Sequence, residues 1–346
     1  METLKFLLIA WSKRSSKASQ KVRGFTLIEL LVAMIMAALI ITPLLGLVVN
    51  LMNTDRQEQA KTTSEQELQT AMEYISRDLQ QAVYIYDAGA LTNTTTNLAD
   101  STPGIQDQLP DVANGVPVLV FWKRKFMKDK IPVAGGGTND AFVYSLVAYY
   151  LIKDEPPNPT SPWSGTARIG RFEIQDGVKD ETNAYINETD PTIGRDDNFS
   201  QFIPDQPGTL ATKMNRWKSE NGTNTGYPNE KLPQNNILVD YIDQSTESVD
   251  GSAIPYEVCP ADTDIADEEP EWTQVPDEAT TDATFLTRSF YACVYSSRNI
   301  AKVYLRGNAM ARLRQKSNSP TYDGKKPVFF PTAKIEVKGT GALGKN

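Results

Sequence analysis

Residues 25–49 read FTLIELLVAMIMAALIITPLLGLVV, and Glu29 is the one charged side chain among them. A bilayer core takes about 20 residues of helix. A helix that is apolar on every face over this length offers water no polar side. The run is therefore expected to span a membrane. Secretory signals have a shorter apolar region, about 7–15 residues, followed by a small-residue cleavage site. Here no Ala-x-Ala pattern follows closely, and Asn50 to Gln59 continue as polar helix. Lys5, Lys13, Arg14, Lys17, Lys21 and Arg23 stand against Glu2 before the run, whereas the first charges after it are Asp55 and Arg56. That bias places the N-terminus in the cytoplasm and the rest of the chain outside it.

Glu29 is the anomaly. A carboxylate within an apolar span costs a few kcal/mol on insertion scales, so it either snorkels to the interface or has a partner. Its surroundings, Arg23-Gly24-Phe25-Thr26-Leu27-Ile28-Glu29-Leu30-Leu31, closely resemble the prepilin peptidase site of type IV pilins and type II secretion pseudopilins. The resemblance covers a basic leader, Gly before the cut, Phe after it and Glu at the fifth mature position. It implies cleavage between Gly24 and Phe25, N-methylation of Phe25, and pairing of Glu29 with the new amine of a neighbouring subunit during assembly. Two opposite charges in a low dielectric attract strongly and relieve each other's burial.

Residues 50–86 look helical. Leu68, Met72, Ile75, Leu79, Ala82 and Tyr86 recur at three and four residues as one apolar face, with Glu65, Glu67, Glu73, Arg77 and Gln81 opposite. This is expected to lay the stripe on a sheet. Ile75-Ser76-Arg77-Asp78-Leu79-Gln80-Gln81-Ala82 is similar to the end of this helix in J-type minor pseudopilins and W-type minor pilins. Arg77 and Asp78 equally read as a solvated pair of little energetic weight. Thr42, Pro43 and Gly46 interrupt the span, as a tolerated kink or as a site of local melting in a fibre.

After Gly89 the texture changes to loop, then to β-type runs at Val116–Trp122, Phe142–Ile152, Ile169–Ile174, Ile237–Ile242, Phe285–Val294, Ala301–Leu305 and Ala333–Val337. No long helix separates most of them, so the sheet should be antiparallel, with Phe142–Ile152 central. Residues 153–167, 175–236 and 243–284 are long polar insertions, a length usually functional or disordered. The expected organisation is a basic leader 1–24, a transmembrane helix 25–49, an amphipathic helix 50–88 and an extracytoplasmic β-rich domain 89–346 with an acidic loop at 243–284. The fold class is α+β and pilin-like: a long N-terminal helix packed on an antiparallel sheet with loop insertions. Arg288–Leu313, RSFYACVYSSRNIAKVYLRGNAMARL, together with the start and the size, resembles the pseudopilins of cyanobacterial hormogonium polysaccharide secretion.

Composition removes much of the catalytic repertoire. The chain has no histidine, hence no Ser-His-Asp, Cys-His or HExxH site. Beyond residue 24 it carries 29 basic against 42 acidic residues, which argues against nucleic acid. Gly135-Gly136-Gly137 lacks the Lys-Ser/Thr of a phosphate loop, and no cofactor is indicated. Asp262, Asp264 and Asp267 have the Asp-x-Asp spacing that starts many calcium loops. Their segment lies between Pro260 and Pro270 without a turn glycine, so it reads first as a solvated acidic loop. Cys259 and Cys293 either form a disulfide, as an extracytoplasmic domain permits, or remain two free thiols. Arg298, Lys302, Arg306, Arg312, Arg314 and Lys316 cluster in sequence, either as scattered strand charges or as a surface for an acidic polysaccharide or a neighbouring subunit.

The functional expectation is a minor pseudopilin of a type IV pilus or type II secretion-like pseudopilus. It would serve polysaccharide secretion and gliding motility, and would not be an enzyme. Its partners would be other pilins or pseudopilins, the prepilin peptidase, the inner-membrane assembly platform and the exported polysaccharide. The protein would sit in the inner membrane with a periplasmic body and reach the pilus or cell surface after assembly. The rivals are a surface adhesin or fibre subunit with the same start, and a membrane-anchored hydrolase using carboxylates such as Asp262 or Glu269. Nothing in the sequence sets two such carboxylates at a defined separation.

Overall fold

The computed structural model describes residues 24–94, 103–133, 135–153, 161–187, 190, 192–203, 207–261, 272–314 and 319–341. The leader before Gly24, the calcium candidates Asp262, Asp264 and Asp267, and Lys316 lie outside the described residues. The chain divides into two compact units, Met1–Asp55 and Arg56–Asn346.

Helix α1, Leu27–Gln80, is 54 residues long and contributes to both units. In the first unit its apolar residues are exposed throughout, with Leu27 90% and Ile28 71% accessible. The 23 residues Leu27–Val49 rise roughly 34 Å, enough to cross a hydrocarbon core of about 30 Å. Pro43 lies inside the helix and does not end it. The hydroxyl of Thr42 donates to the Ala38 carbonyl at 2.8 Å, adding a bond one residue before the amide that proline lacks.

In the second unit α1 changes character. Ala60, Ser64, Leu68, Ala71, Met72, Ile75, Ser76, Asp78 and Leu79 are buried, the three-and-four spacing of a helix lying on a core. Glu65, Glu73, Arg77 and Gln81 face solvent. The helix stops at Gln80, short of the expected 50–88. Ala82–Ile85 form strand β1, buried at every position. Ala82 and Tyr86 continue the helical spacing, but the run AVYIY is β-branched and aromatic and is apolar at every residue. That composition suits a strand buried on both faces better than a helix end.

All the paired strands are antiparallel, in two sheets rather than one. The first has five strands in the order β1-β2-β3-β4-β5: β2 is Gly115–Pro132, β3 Thr138–Ile152, β4 Ala167–Gln175 and β5 Ile237–Ile242. Strand β3 is central, as its apolar run predicts. The second has four in the order β6-β7-β8-β9: β6 is Thr273–Val275, β7 Phe290–Tyr295, β8 Ile300–Arg306 and β9 Thr332–Lys338. Each β-type run read from the sequence lies in a strand, except that Phe285 belongs to a short 3₁₀ turn, Ala283–Phe285, and β7 begins only at Phe290.

The second sheet stitches both edges of the first. The Gly341 amide and the Asn299 side chain donate to the Ala82 carbonyl, and Ser296 donates to that of Ile85. At the other edge Asp243 N donates to the Arg306 carbonyl, and Asn308 N to that of Tyr241. One apolar core joins the α1 stripe to Trp122, Phe172, Phe290 and Val303. Gly307 sits where a Cβ would come within 2.9 Å of Leu68 Cδ1, so a side chain there would push the helix away.

The insertion 175–236 is not a solvated loop. Phe199, Phe202, Met214 and Trp217 are buried, and Phe199, Phe202 and Trp217 all pack edge-on to Trp122. Trp122 Nε1 donates to Tyr86 OH at 2.9 Å, which donates in turn to the Met214 carbonyl at 3.0 Å. Aromatic pairs of this kind add about 0.5–1.5 kcal/mol each beyond their area.

Candidate assembly site

The head of α1 is a capping box. Thr26 takes the cap position: the Glu29 amide donates to Thr26 Oγ1 at 3.3 Å, and the Thr26 amide donates to Glu29 Oε2 at 3.2 Å. The Thr26 hydroxyl also donates to the same carboxylate oxygen, at 3.1 Å. Two otherwise unpaired amides of the first turn are thereby satisfied reciprocally. A carboxylate here also complements the positive end of the helix dipole. Glu29 therefore has a local partner within its own chain, in addition to any supplied from outside. Gly24, immediately before, has open space on its Cβ side, with nothing within 4 Å. A larger residue there fits the fold.

Residues 19–45 match the family model described as Prokaryotic N-terminal methylation motif. That motif supports a pilin- or pseudopilin-like protein, processed by a prepilin peptidase and assembled with other pilins, and with the apolar helix it fits a membrane-anchored chain. It suggests a structural subunit rather than an enzyme. The architecture agrees, since a long N-terminal helix packs on antiparallel sheets. No curated protein and no solved structure matches the chain.

The far end of α1 holds a buried ionic cluster. Asp78, 7% exposed, accepts from Lys123 Nζ at 3.0 Å through Oδ1. Through Oδ2 it accepts from Tyr149 OH at 2.8 Å and from Arg171 Nε and Nη2 at 2.9 and 2.7 Å. Arg171 Nη2 also reaches Glu173 at 2.6 Å, and Lys123 Nζ lies 3.0 Å from the other Glu173 oxygen. Two acids thus meet two bases, joining the helix to β2, β3 and β4. Burial would lift the Glu173 carboxyl, but Arg171, then Lys123 and Lys125, outweigh it and hold the group at about 2. Burial, then the charge of Asp78, pushes the Tyr149 hydroxyl well above its ordinary range, so it stays a donor. The solvated reading of Arg77 and Asp78 is half right. Arg77 pairs with Glu73 on the surface, whereas Asp78 faces the sheet one residue on.

The other sequence candidates separate. Arg306 is buried against Asp243, with Nε 2.9 Å from Oδ2. Lys302 pairs with Glu336, and Arg312 with Glu67. These three are therefore taken up by acids at separate places. Within the acidic loop, Asp243 is held by Arg306, Glu257 pairs with Lys334, and Glu278 with Arg288. Cys259 and Cys293 are joined in a disulfide with a Cα–Cα distance of 5.5 Å.

Proposed function

We propose that the protein is a minor pseudopilin, made as a prepilin. It is cut between Gly24 and Phe25, N-methylated on Phe25, and inserted with its N-terminus cytoplasmic and its body outside. The observation that carries this reading is the Thr26–Glu29 box at the head of an apolar helix whose flank matches the methylation motif. In the unprocessed chain the carboxylate caps its own helix. Cleavage frees a cationic amine four residues away, and a neighbouring subunit's amine offers Glu29 a partner of opposite charge in place of a neutral amide. The buried ionic cluster and the packed insertion suit a rigid body carried at one position in a short fibre. The resemblance of Arg288–Leu313 to the hormogonium pseudopilins supports service in polysaccharide export and gliding.

The test is mass spectrometry of the chain recovered from cells with its peptidase. The expected mature form begins at N-methyl-Phe25, and Gly24→Leu leaves the full-length chain. A wild-type chain still beginning at Met1 overturns the reading. Because Gly24 has open space around it, failure of the leucine variant to be cut reports the peptidase's requirement and not misfolding.

A further inference from the structure

A strap of chain, residues 254–260, crosses the outer face of the second sheet. The Glu257 amide donates to Tyr291 OH at 3.1 Å, and that hydroxyl donates back to the Glu257 carbonyl at 2.9 Å. Cys259 is bonded to Cys293 two residues along the same strand. Between strap and sheet lies a cleft of about 400 Å³, within the range of small-ligand sites. Tyr291 and Tyr304 stack across strands at its floor, centroids 4.5 Å apart and 4° from parallel. Tyr256 forms a wall, with the Arg288 guanidinium 3.8 Å above its ring. Lys334 and Glu257 pair at the rim at 2.7 Å. The Tyr304 hydroxyl has no hydrogen-bond partner among the described residues.

The backbone is strained at this point. Among the described residues, seven other than glycine have positive φ; five are Asn or Asp, and the others are Tyr241 and Arg288. Arg288, at φ 50°, has no side-chain reason to adopt that conformation. An outlier of this kind persists only where its surroundings impose it, and it clusters at ligand sites. Here it sets the guanidinium over the Tyr256 ring.

We propose that this cleft binds an uncharged pyranose glycan. Half-buried Tyr304 keeps the ring face turned away from Tyr291, which can take the apolar side of a sugar ring, and the rim supplies both donors, on Arg288, Lys334 and Tyr304, and an acceptor, on Glu257. The charges exclude an anionic ligand as the preferred class, because each cation already has its acid: Arg288 has Glu278 at 3.0 Å and Lys334 has Glu257. An extended peptide is excluded by position. It would add along a strand edge, whereas the cleft opens over side chains on the face of β7, β8 and β9. The strap holds the wall in place, so the disulfide belongs to the site. The inference rests on the cleft alone and stands whether or not the chain is processed or assembled.

The experiment uses the full chain in phosphocholine micelles, which have no sugar headgroup, with cellotetraose, maltotetraose, xylotetraose and tetragalacturonate as probes. Saturation transfer and titration are expected to show binding of at least one neutral tetrasaccharide. Tyr304→Ala should weaken it tenfold or more. Arg288→Gly, which suits the positive φ and so keeps the fold, should also weaken it severalfold, and Lys334→Ala by less. Absence of binding by all three neutral probes overturns the proposal. So does binding that neither Tyr304→Ala nor Arg288→Gly alters, or tighter binding of tetragalacturonate than of every neutral probe.

Discussion

The two halves of α1 share one backbone geometry and answer to different solvents. In Leu27–Val49 every apolar side chain is exposed, and the sequence shows no helical stripe because each face meets the same surroundings. In Ala60–Leu79 burial follows a three-and-four spacing and includes, next to its end, an acid tied into the sheet. The lesson is that α1 is not one structural unit in energetic terms. Its first half is specified by uniform hydrophobicity and a cap. The second is specified by complementarity to one surface, including charge.

The largest way to break that contrast is at Asp78. Removing one member of a buried ionic cluster leaves the others uncompensated, at a cost of about 3–5 kcal/mol. Asp78→Ala should lower the unfolding free energy of the body by that amount, read from the shift of its denaturation curve. Arg77→Ala, one residue earlier and on the surface, should stay within about 0.5 kcal/mol. Equal effects at 77 and 78 would mean the helix end is not seated as described. Next comes a paired truncation. Leu79→Ala should cost about 2–5 kcal/mol through the cavity it leaves, whereas Leu39→Ala should leave unfolding of the body unchanged.

A third measurement sharpens the electrostatic side. The Glu173 carboxyl sits at about 2 in the fold against an ordinary 4.5. The stability it contributes is present above about pH 4.5 and is lost as pH falls through about 2. The stability gap between wild type and Glu173→Gln should therefore be widest at neutral pH and close on acidification. A gap that does not change with pH would refute the charge-based account. The smallest effect belongs to the head. Thr26→Ala removes a cap worth about 1 kcal/mol and should speed amide exchange over the first turn of α1 in micelles, with the body untouched.

What could be read from the sequence follows from how far apart the interacting residues lie. The span and the stripe Leu68, Met72, Ile75 and Leu79 are local periodicities, and the structure uses them as read. The longer strands announced themselves by β-branched and aromatic runs. Asp78 could not be read, because its partners Lys123, Tyr149 and Arg171 come 45, 71 and 93 residues later. Strand β1 hid behind the helix because Ala82 and Tyr86 satisfy both periods. Strand β6 hid because three residues within an acidic stretch carry no pattern. The insertion 175–236 read only as a long polar loop from its Pro, Gly and Asn content. Phe199, Phe202, Met214 and Trp217 were the available signal that it packs.

The covered edge of β1 has a further consequence. A pilin-like chain that assembles with other subunits must do so through chosen contacts, and a bare strand edge is an unselective one. Gly339, Thr340 and Gly341 donate their amides to Asn299, Gln80 and Ala82 in turn, so the last described residues hem the sheet where it would otherwise recruit foreign strands. A chain ending at Lys338 would keep its anchor and most of its core, yet expose Ala82–Ile85 as a template. Its failure would be clumping, not loss of the fold.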